Sequence, residues 1–361
     1  MTSASSCSNV LAGERLSRDS ALEMLLHAPL AQLAWAADRV CENMHPGGVR
    51  TYVIDRNINY TNVCVSACRF CAFYRKPGDP SGYVLTMDQV LEKIREAVDL
   101  GATQILMQGG LHPELEIEYF ETLFRAIKGH FDVRLHSLSA PEIVHIASVS
   151  GLSINEVLMR LREAGLDSLP GGGAEILVDD IRSRLSPHKC TAGQWLEVMR
   201  IAGKLGMRAT ATMLFGMGES LADRIAHLEA IRRLQDETGV FTAFIPWTFQ
   251  PGNTALGGAV VGAHEYLTTL AISRLYLYNV ANIQASWVTQ GGEVAQLALK
   301  SGANDIGSTM IEENVVAAAG VSHRMSEMDL IGLIHTAGYD AAQRSTLYEI
   351  IKMHPKITER E

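Results

Sequence analysis

From Thr51 to Ser308, short apolar runs alternate with longer amphipathic stretches, and this alternation narrows the possible folds more than any other feature of the chain. The short runs are Tyr52–Ile54, Gln104–Met107, Val133–Leu138, a stretch within Gly165–Ile176, Arg208–Phe215, Phe241–Thr248 and Ile283–Trp287. Between them lie helical patterns at Met87–Leu100, Ile117–Lys128, Ser153–Ala164, Ala192–Leu205 and Leu221–Glu237. So sustained an alternation implies parallel strands joined by right-handed crossovers, an α/β architecture. Residues with unusual chemistry fall repeatedly just after the strand-like runs: a cysteine cluster, Gln108-Gly109-Gly110, His136-Ser137, Pro170 to Glu175 and Gly216 to Glu219. A closed barrel puts its chemistry on the loops after the carboxyl ends of its strands, so residues 49–361 are expected to form a TIM-type β/α barrel of about eight parallel strands. Its last strand is placed near Asn304–Ser308, followed by C-terminal helices. Residues 1–48 are expected to form an N-terminal helical extension: an irregular start, then one amphipathic helix over Ser20–Asn43 carrying Leu22, Leu25, Leu26, Leu30, Leu33 and Trp35. His45-Pro46-Gly47-Gly48 stops it.

At 361 residues and 47% hydrophobic, the chain can bury one large core. Its net charge of -9, with both signs interspersed, supplies no basic stripe for phosphates and sets nucleic-acid partners aside. The start lacks a basic segment followed by an apolar run, and no window reaches roughly 18 uninterrupted apolar residues. Neither an export signal nor a membrane span is therefore expected, and the chain reads as cytoplasmic. Six cysteines are too few for a disulfide scaffold at this size. Cys64, Cys68 and Cys71 crowd together, which points to metal binding in a reducing compartment, whereas the scattered Cys7, Cys41 and Cys190 read as ordinary thiols.

The triplet lies in Asn59-Tyr60-Thr61-Asn62-Val63-Cys64-Val65-Ser66-Ala67-Cys68-Arg69-Phe70-Cys71, directly after the first strand. On a helix this spacing would line one face, a buried apolar stripe. Structural zinc is a second reading, although zinc normally takes four ligands and His112, the nearest imidazole, lies beyond a helix and a strand. A disulfide with one free thiol is a third. In the fourth, a four-iron cubane on three thiolates leaves one iron for a substrate to bind.

The CxxxCxxC spacing with Phe70 before the last cysteine resembles the signature of the radical S-adenosylmethionine enzymes. The resemblance implies a 4Fe-4S cluster on Cys64, Cys68 and Cys71, with S-adenosyl-L-methionine chelated to the open iron and cleaved to a 5′-deoxyadenosyl radical. It further implies that Gly109 and Gly110 hold the methionine group, that Glu175 grips the ribose, and that Leu214 and Gly216 contact the adenine. Glu175 equally suits the start of a helix through Val178–Arg184, and Glu219 a first-turn acid.

The likeness runs from about Leu22 to Ile351 and is greatest to the radical enzymes of the futalosine route to menaquinone. It is carried by Asn57 to Asn62, Met107 to Pro113, Leu169 to Glu175, Phe244 to Pro251 and Asn282 to Trp287. Trp247, Gln250, Gln284 and Trp287 resemble the cyclising branch more than aminofutalosine synthase or the deazaflavin-forming synthases. That branch implies a nucleoside-derived substrate from which the 4′ ribose hydrogen is taken. The carbon radical adds to a benzoate ring, and loss of one electron and one proton restores aromaticity. An electron donor such as flavodoxin or ferredoxin is implied. His136 and Glu175 are the expected proton acceptors, although the alternation around His136 equally suits a histidine facing the helices. Arg208, in phase with Thr210 and Thr212, is the expected cation for the benzoate, although it equally suits an exterior salt bridge, and Trp247, Gln284 and Trp287 are the expected pocket wall.

Overall fold

The computed structural model describes residues 3–321 and 323–356. Eleven strands follow one another along the described residues: β1 (Val49–Val53), β2 (Asp55–Ile58), β3 (Gln104–Met107), β4 (Arg134–Ser137), β5 (Ser168–Leu169), β6 (Arg208–Phe215), β7 (Phe241–Thr248), β8 (Asn282–Ile283), β9 (Asp305–Ser308), β10 (Asp340–Arg344) and β11 (Ile350–His354). β1 and β2 are two halves of one run interrupted only at Ile54. On one edge β2 pairs in parallel with β3, and the sheet continues through β4, β5, β6 and β7 to β8. On the other edge β1 pairs in parallel with β9, Thr51 opposite Asp305 and Val53 opposite Ser308. β9 meets β8 through a bridge between Gln284 and Asp305, with the Asn304 N–H on the Ile283 carbonyl at 3.1 Å. The circuit closes as the expected barrel, with the run containing β1 and β2 counted as one strand and β9 as the last.

Helices Met87–Asp99, Ile117–His130, Ile154–Ala164, Ala192–Lys204 and Leu221–Thr238 cover the outside, within a residue or two of their sequence patterns. Their starts are written locally: Thr86 with Gln89, Ser153 with Glu156, Thr191 with Gln194 and Ser220 with Asp223 each form a reciprocal capping box. Outward strand residues such as Ile105, Leu135, Ala211, Met213 and Phe244 are buried in one core with helical Phe124, Leu161, Trp195 and Ile231. Each such large apolar side chain contributes roughly 1.5–3 kcal/mol on burial.

Four segments differ from their sequence pattern. The single helix over Ser20–Asn43 is two, Arg18–His27 and Leu30–Met44, because Pro29 has no N–H to continue the ladder. The break resets the phase, so Leu26 and Trp35 are exposed while Leu33, Ala36, Ala37 and Cys41 are buried. The start is also more regular than expected, with a helix over Ser3–Leu11. At the other end the helix Glu327–Thr336 is followed by strands: β10 pairs in parallel with β1, and β11 antiparallel with β10. Finally, Trp287 begins a short helix, Trp287–Gln290, after β8 has ended.

Candidate active site

The loop after β2 is irregular through the three cysteines, with Ala67 in the left-handed region at φ 48°, which removes the helical-stripe reading. Its backbone is tied to the barrel at several points: Cys64 N–H to the Arg75 carbonyl at 2.9 Å, Val65 N–H to Leu111 at 3.0 Å and Arg69 N–H to Leu185 at 2.9 Å. All three thiols are free, which removes the disulfide reading. Each sulfur has a donor beside it. The Ser66 N–H points to Cys64 Sγ at 3.4 Å, the Ser66 hydroxyl lies 3.1 Å from Cys68 Sγ, and the backbone N–H groups of Phe73 and Tyr74 reach Cys71. Such N–H and O–H contacts are what thiolates carrying an iron–sulfur cluster use to delocalise charge. Among the described residues no three Cys, His, Asp or Glu side chains converge on a single-ion position. A cubane asks for less convergence, since each thiolate binds a different iron. The three cysteines therefore fit a 4Fe-4S cluster.

Gly109 and Gly110 end the run of β3 and are packed under this loop. A Cβ at Gly110 would sit 2.2 Å from the Val63 carbonyl oxygen and 2.9 Å from Cys64 Cβ, and one at Gly109 would lie 2.6 Å from the Tyr60 ring. Only bare backbone lets the cysteine loop come this close. The turn is held by Glu142, a buried carboxylate at the start of the helix Ala140–Val149. One of its oxygens accepts the Gly109 N–H at 2.9 Å and the Tyr60 hydroxyl at 2.8 Å, and the other the Ser139 N–H at 2.7 Å.

Glu175 is buried with φ 41° and does not line the barrel cavity. Its carboxylate meets Lys189 at 2.9 Å and Arg182 at 3.5 Å. Outside the cavity and held by two cations, it is not placed to take a proton from a substrate bound there, so that expected role is not supported by its surroundings. Its place beside Cys68 and Lys189 suits a role at the cofactor instead. Phe70, half-buried, has the Lys189 ammonium 5.5 Å from its ring centre. Along β6 the Leu214 N–H is taken by the Glu175 carbonyl at 3.1 Å. At the turn beyond, the carboxylate of Glu219 accepts the N–H groups of Gly216 and Met217, both at 2.8 Å. Glu219 thus braces the turn, and the Leu214 and Gly216 amides are not free for an adenine edge.

Inside the barrel lies a cavity of about 240 Å³. Asn57, Leu106 and His136 stand side by side in register and all face it, because paired residues on parallel strands share a face. His136 therefore points inward rather than toward the helices. Its Nδ1 lies 2.7 Å from the Ser168 hydroxyl and its Nε2 3.5 Å from that of Thr210. Burial, with the nearby Arg344 charge, pushes its pKa down to about 3, so the ring is neutral and weakly basic. Trp247, Gln284 and Trp287 line the same cavity as expected. Trp287 is anchored by its indole N–H to the Ser308 carbonyl at 3.0 Å.

Arg208 is elsewhere. It begins β6 at the amino end of the barrel, is exposed, and donates to the Gly239 carbonyl. The expected benzoate role fails because Thr210 and Thr212, two and four residues along, enter the cavity while position 208 precedes it. The cation that does line the cavity is Arg344, from β10, paired with Asp305 at 2.5 Å. Other lining residues not anticipated include Asn57, Tyr348, Thr346 and Glu313. Asn57 Oδ1, Thr346 Oγ1 and the Tyr348 hydroxyl are buried without a partner, polar groups left for a ligand to satisfy. Only Asn57 carried a sequence signal, as the first residue of the Asn57 to Asn62 word.

Residues 58–231 match the family model of the radical SAM superfamily, and residues 238–357 that of the CofH/MqnC C-terminal region. A cyclic dehypoxanthine futalosine synthase of Halalkalibacterium halodurans is 50% identical over 94% of this chain and 92% of its own. A 5-amino-6-(D-ribitylamino)uracil–L-tyrosine 4-hydroxyphenyl transferase of Methanopyrus kandleri is 42% identical over 84% of this chain and 85% of its own. Among solved structures, methylornithine synthase superposes with a TM-score of 0.72 at 20% identity, covering 92% of this chain and 96% of that one, a likeness of fold.

Proposed function

The chain belongs to the radical SAM superfamily, and from that membership we propose that it cyclises dehypoxanthine futalosine to cyclic dehypoxanthine futalosine in menaquinone biosynthesis. The observation that carries the reading is the placement of three unpaired cysteines, each with a donor at its sulfur, on a loop after β2, the strand whose Asp55 and Asn57 line the barrel cavity. The 50% identity to a synthase of that reaction selects the substrate. Cys64, Cys68 and Cys71 would hold a 4Fe-4S cluster, which together with S-adenosylmethionine would supply the radical chemistry that begins with removal of the 4′ ribose hydrogen.

The protein residues bind, orient and exclude water. Gly109 and Gly110, their N–H groups taken by Glu142 and the Thr61 carbonyl, offer their carbonyls to the methionine amino group, and Glu175, paired with Lys189 and Arg182, receives the ribose hydroxyls. Trp247 and Trp287 wall the benzoate ring, Gln284 offers it an amide, and Arg344 is the cation within reach of the cavity. Enclosure matters because a carbon radical must meet its intramolecular partner before anything else.

The reading includes a low-potential one-electron donor of flavodoxin or ferredoxin type and a reducing, cytoplasmic setting in which thiols stay free. Among the described residues no helix is long and apolar enough to cross a membrane. The test is an anaerobic assay of the reconstituted protein with two sets of substrates in parallel: dehypoxanthine futalosine, and tyrosine with 5-amino-6-(D-ribitylamino)uracil. The cyclase reading expects 5′-deoxyadenosine and a product two hydrogens lighter from the first alone. Turnover of only the second pair would replace it with the transferase activity.

A further inference from the structure

The rearomatisation step needs a group to take a ring proton, and the cavity offers one that no other role absorbs. Glu313, on the segment after β9, lines the cavity and is oriented on both oxygens. Oε2 accepts from Asn57 Nδ2 at 2.9 Å and Oε1 from the Val316 N–H at 2.7 Å. Other carboxylates nearby are committed. Glu312 binds Arg56 and Lys93, Asp305 binds Arg344, and Asp55, its two oxygens taken by Ser308 and Gln104, also feels the Arg344 charge. Among the described residues no cation makes an ion pair with Glu313, whose pKa burial raises. Beside it Asn57 Oδ1 is buried and unpartnered, placed to accept a substrate hydroxyl at the same spot.

We propose that Glu313 is the catalytic base of the cyclisation. The inference rests on the cyclase reading. The bond between the 4′ carbon and the ring carbon has formed. The C–H bond at that ring carbon then breaks: its proton passes to a Glu313 carboxylate oxygen, one electron leaves to a one-electron acceptor of the iron–sulfur class, and the remaining electron completes the aromatic sextet. His136 is the weaker candidate, being held between Ser168 and Thr210.

The test compares wild type, Glu313→Gln and Glu313→Asp under anaerobic turnover, measuring 5′-deoxyadenosine and cyclised product separately, with substrate affinity by calorimetry in the absence of S-adenosylmethionine. Glu313→Gln is expected to keep its affinity and its 5′-deoxyadenosine yield within about threefold while product falls roughly a hundredfold, the scale of general base catalysis. Glu313→Asp keeps the two yields coupled. A Glu313→Gln variant that stays coupled overturns the inference, and so does one that loses affinity and 5′-deoxyadenosine together. If Glu313→Gln does not fold, uncoupling in Glu313→Asp overturns it and coupling supports it. Wild-type protein that cleaves S-adenosylmethionine without cyclising overturns the cyclase reading and the inference with it.

Discussion

Glu142 accepts the backbone N–H of Gly109 at 2.9 Å, so a carboxylate on the helix after β4 fixes the glycine turn after β3. The same oxygen accepts the Tyr60 hydroxyl, and the Tyr60 ring fills the space above Gly109. Glu142→Ala strands these buried donors, and loss of a charged acceptor of this kind costs about 3 kcal/mol. Denaturant unfolding should show that loss, and iron per chain after reconstitution should fall with it, because the cysteine loop leans on the turn. Unchanged stability would contradict the bracing role.

Removing the Lys189 ammonium should act on both the cofactor and the fold. It lies 2.9 Å from Glu175 and close enough to Cys68 and Cys71 for its charge to be felt there. Lys189→Met leaves a buried carboxylate facing Arg182 alone, at a cost of roughly 3 kcal/mol. Loss of a positive charge beside the sulfurs should also move the cluster midpoint potential to more negative values, read by redox titration followed by electron paramagnetic resonance. A positive shift, or none, would contradict the placement.

What was legible in the chain follows from how local its cause is. β6 and β7 match their apolar runs because eight-residue strands with one face in the core and the other on the cavity leave long signals. β5 shrinks to Ser168–Leu169 because Pro170 cannot donate and three glycines follow. Pro29 leaves no break in the pattern because leucines keep a helical spacing on either side of it. β10 reads Asp-Ala-Ala-Gln-Arg, with no strand alternation, and forms because β1 offers an open edge. The cysteines announce themselves by spacing. Lys189 and Glu313 are single charges whose burial is decided by distant segments, and Glu142 was hidden as an ordinary first-turn acid.

Arg208→Ala should leave turnover within about twofold of wild type. Its guanidinium is exposed at the amino end of β6, bonded to the Gly239 carbonyl, and losing such a contact costs about 1 kcal/mol or less. Steady-state assay checks this, and a large rise in KM would restore the benzoate role.

Acidification should destabilise the protein through two buried histidines. His136 and His227 are each pushed down to about 3, His136 by burial and Arg344, His227 by burial and Arg182. Unfolded histidine titrates near 6.5, so between those values the unfolded chain binds the proton and the folded one does not. Their contribution is complete above about pH 6.5 and is lost as pH falls, by on the order of 1 kcal/mol per unit for each ring. Unfolding free energies at pH 5 and pH 7 should differ less in His227→Leu than in wild type. Equal differences would contradict the assignment.

The central claim is that Cys64, Cys68 and Cys71 hold a cluster with one iron open to S-adenosylmethionine. Its most direct test is the electron paramagnetic resonance spectrum of the anaerobically reconstituted, reduced protein before and after S-adenosylmethionine is added. The account predicts a 4Fe-4S signal whose shape changes on addition and which is lost in Cys68→Ala. Zinc in place of iron, or a cluster spectrum indifferent to S-adenosylmethionine, would contradict it.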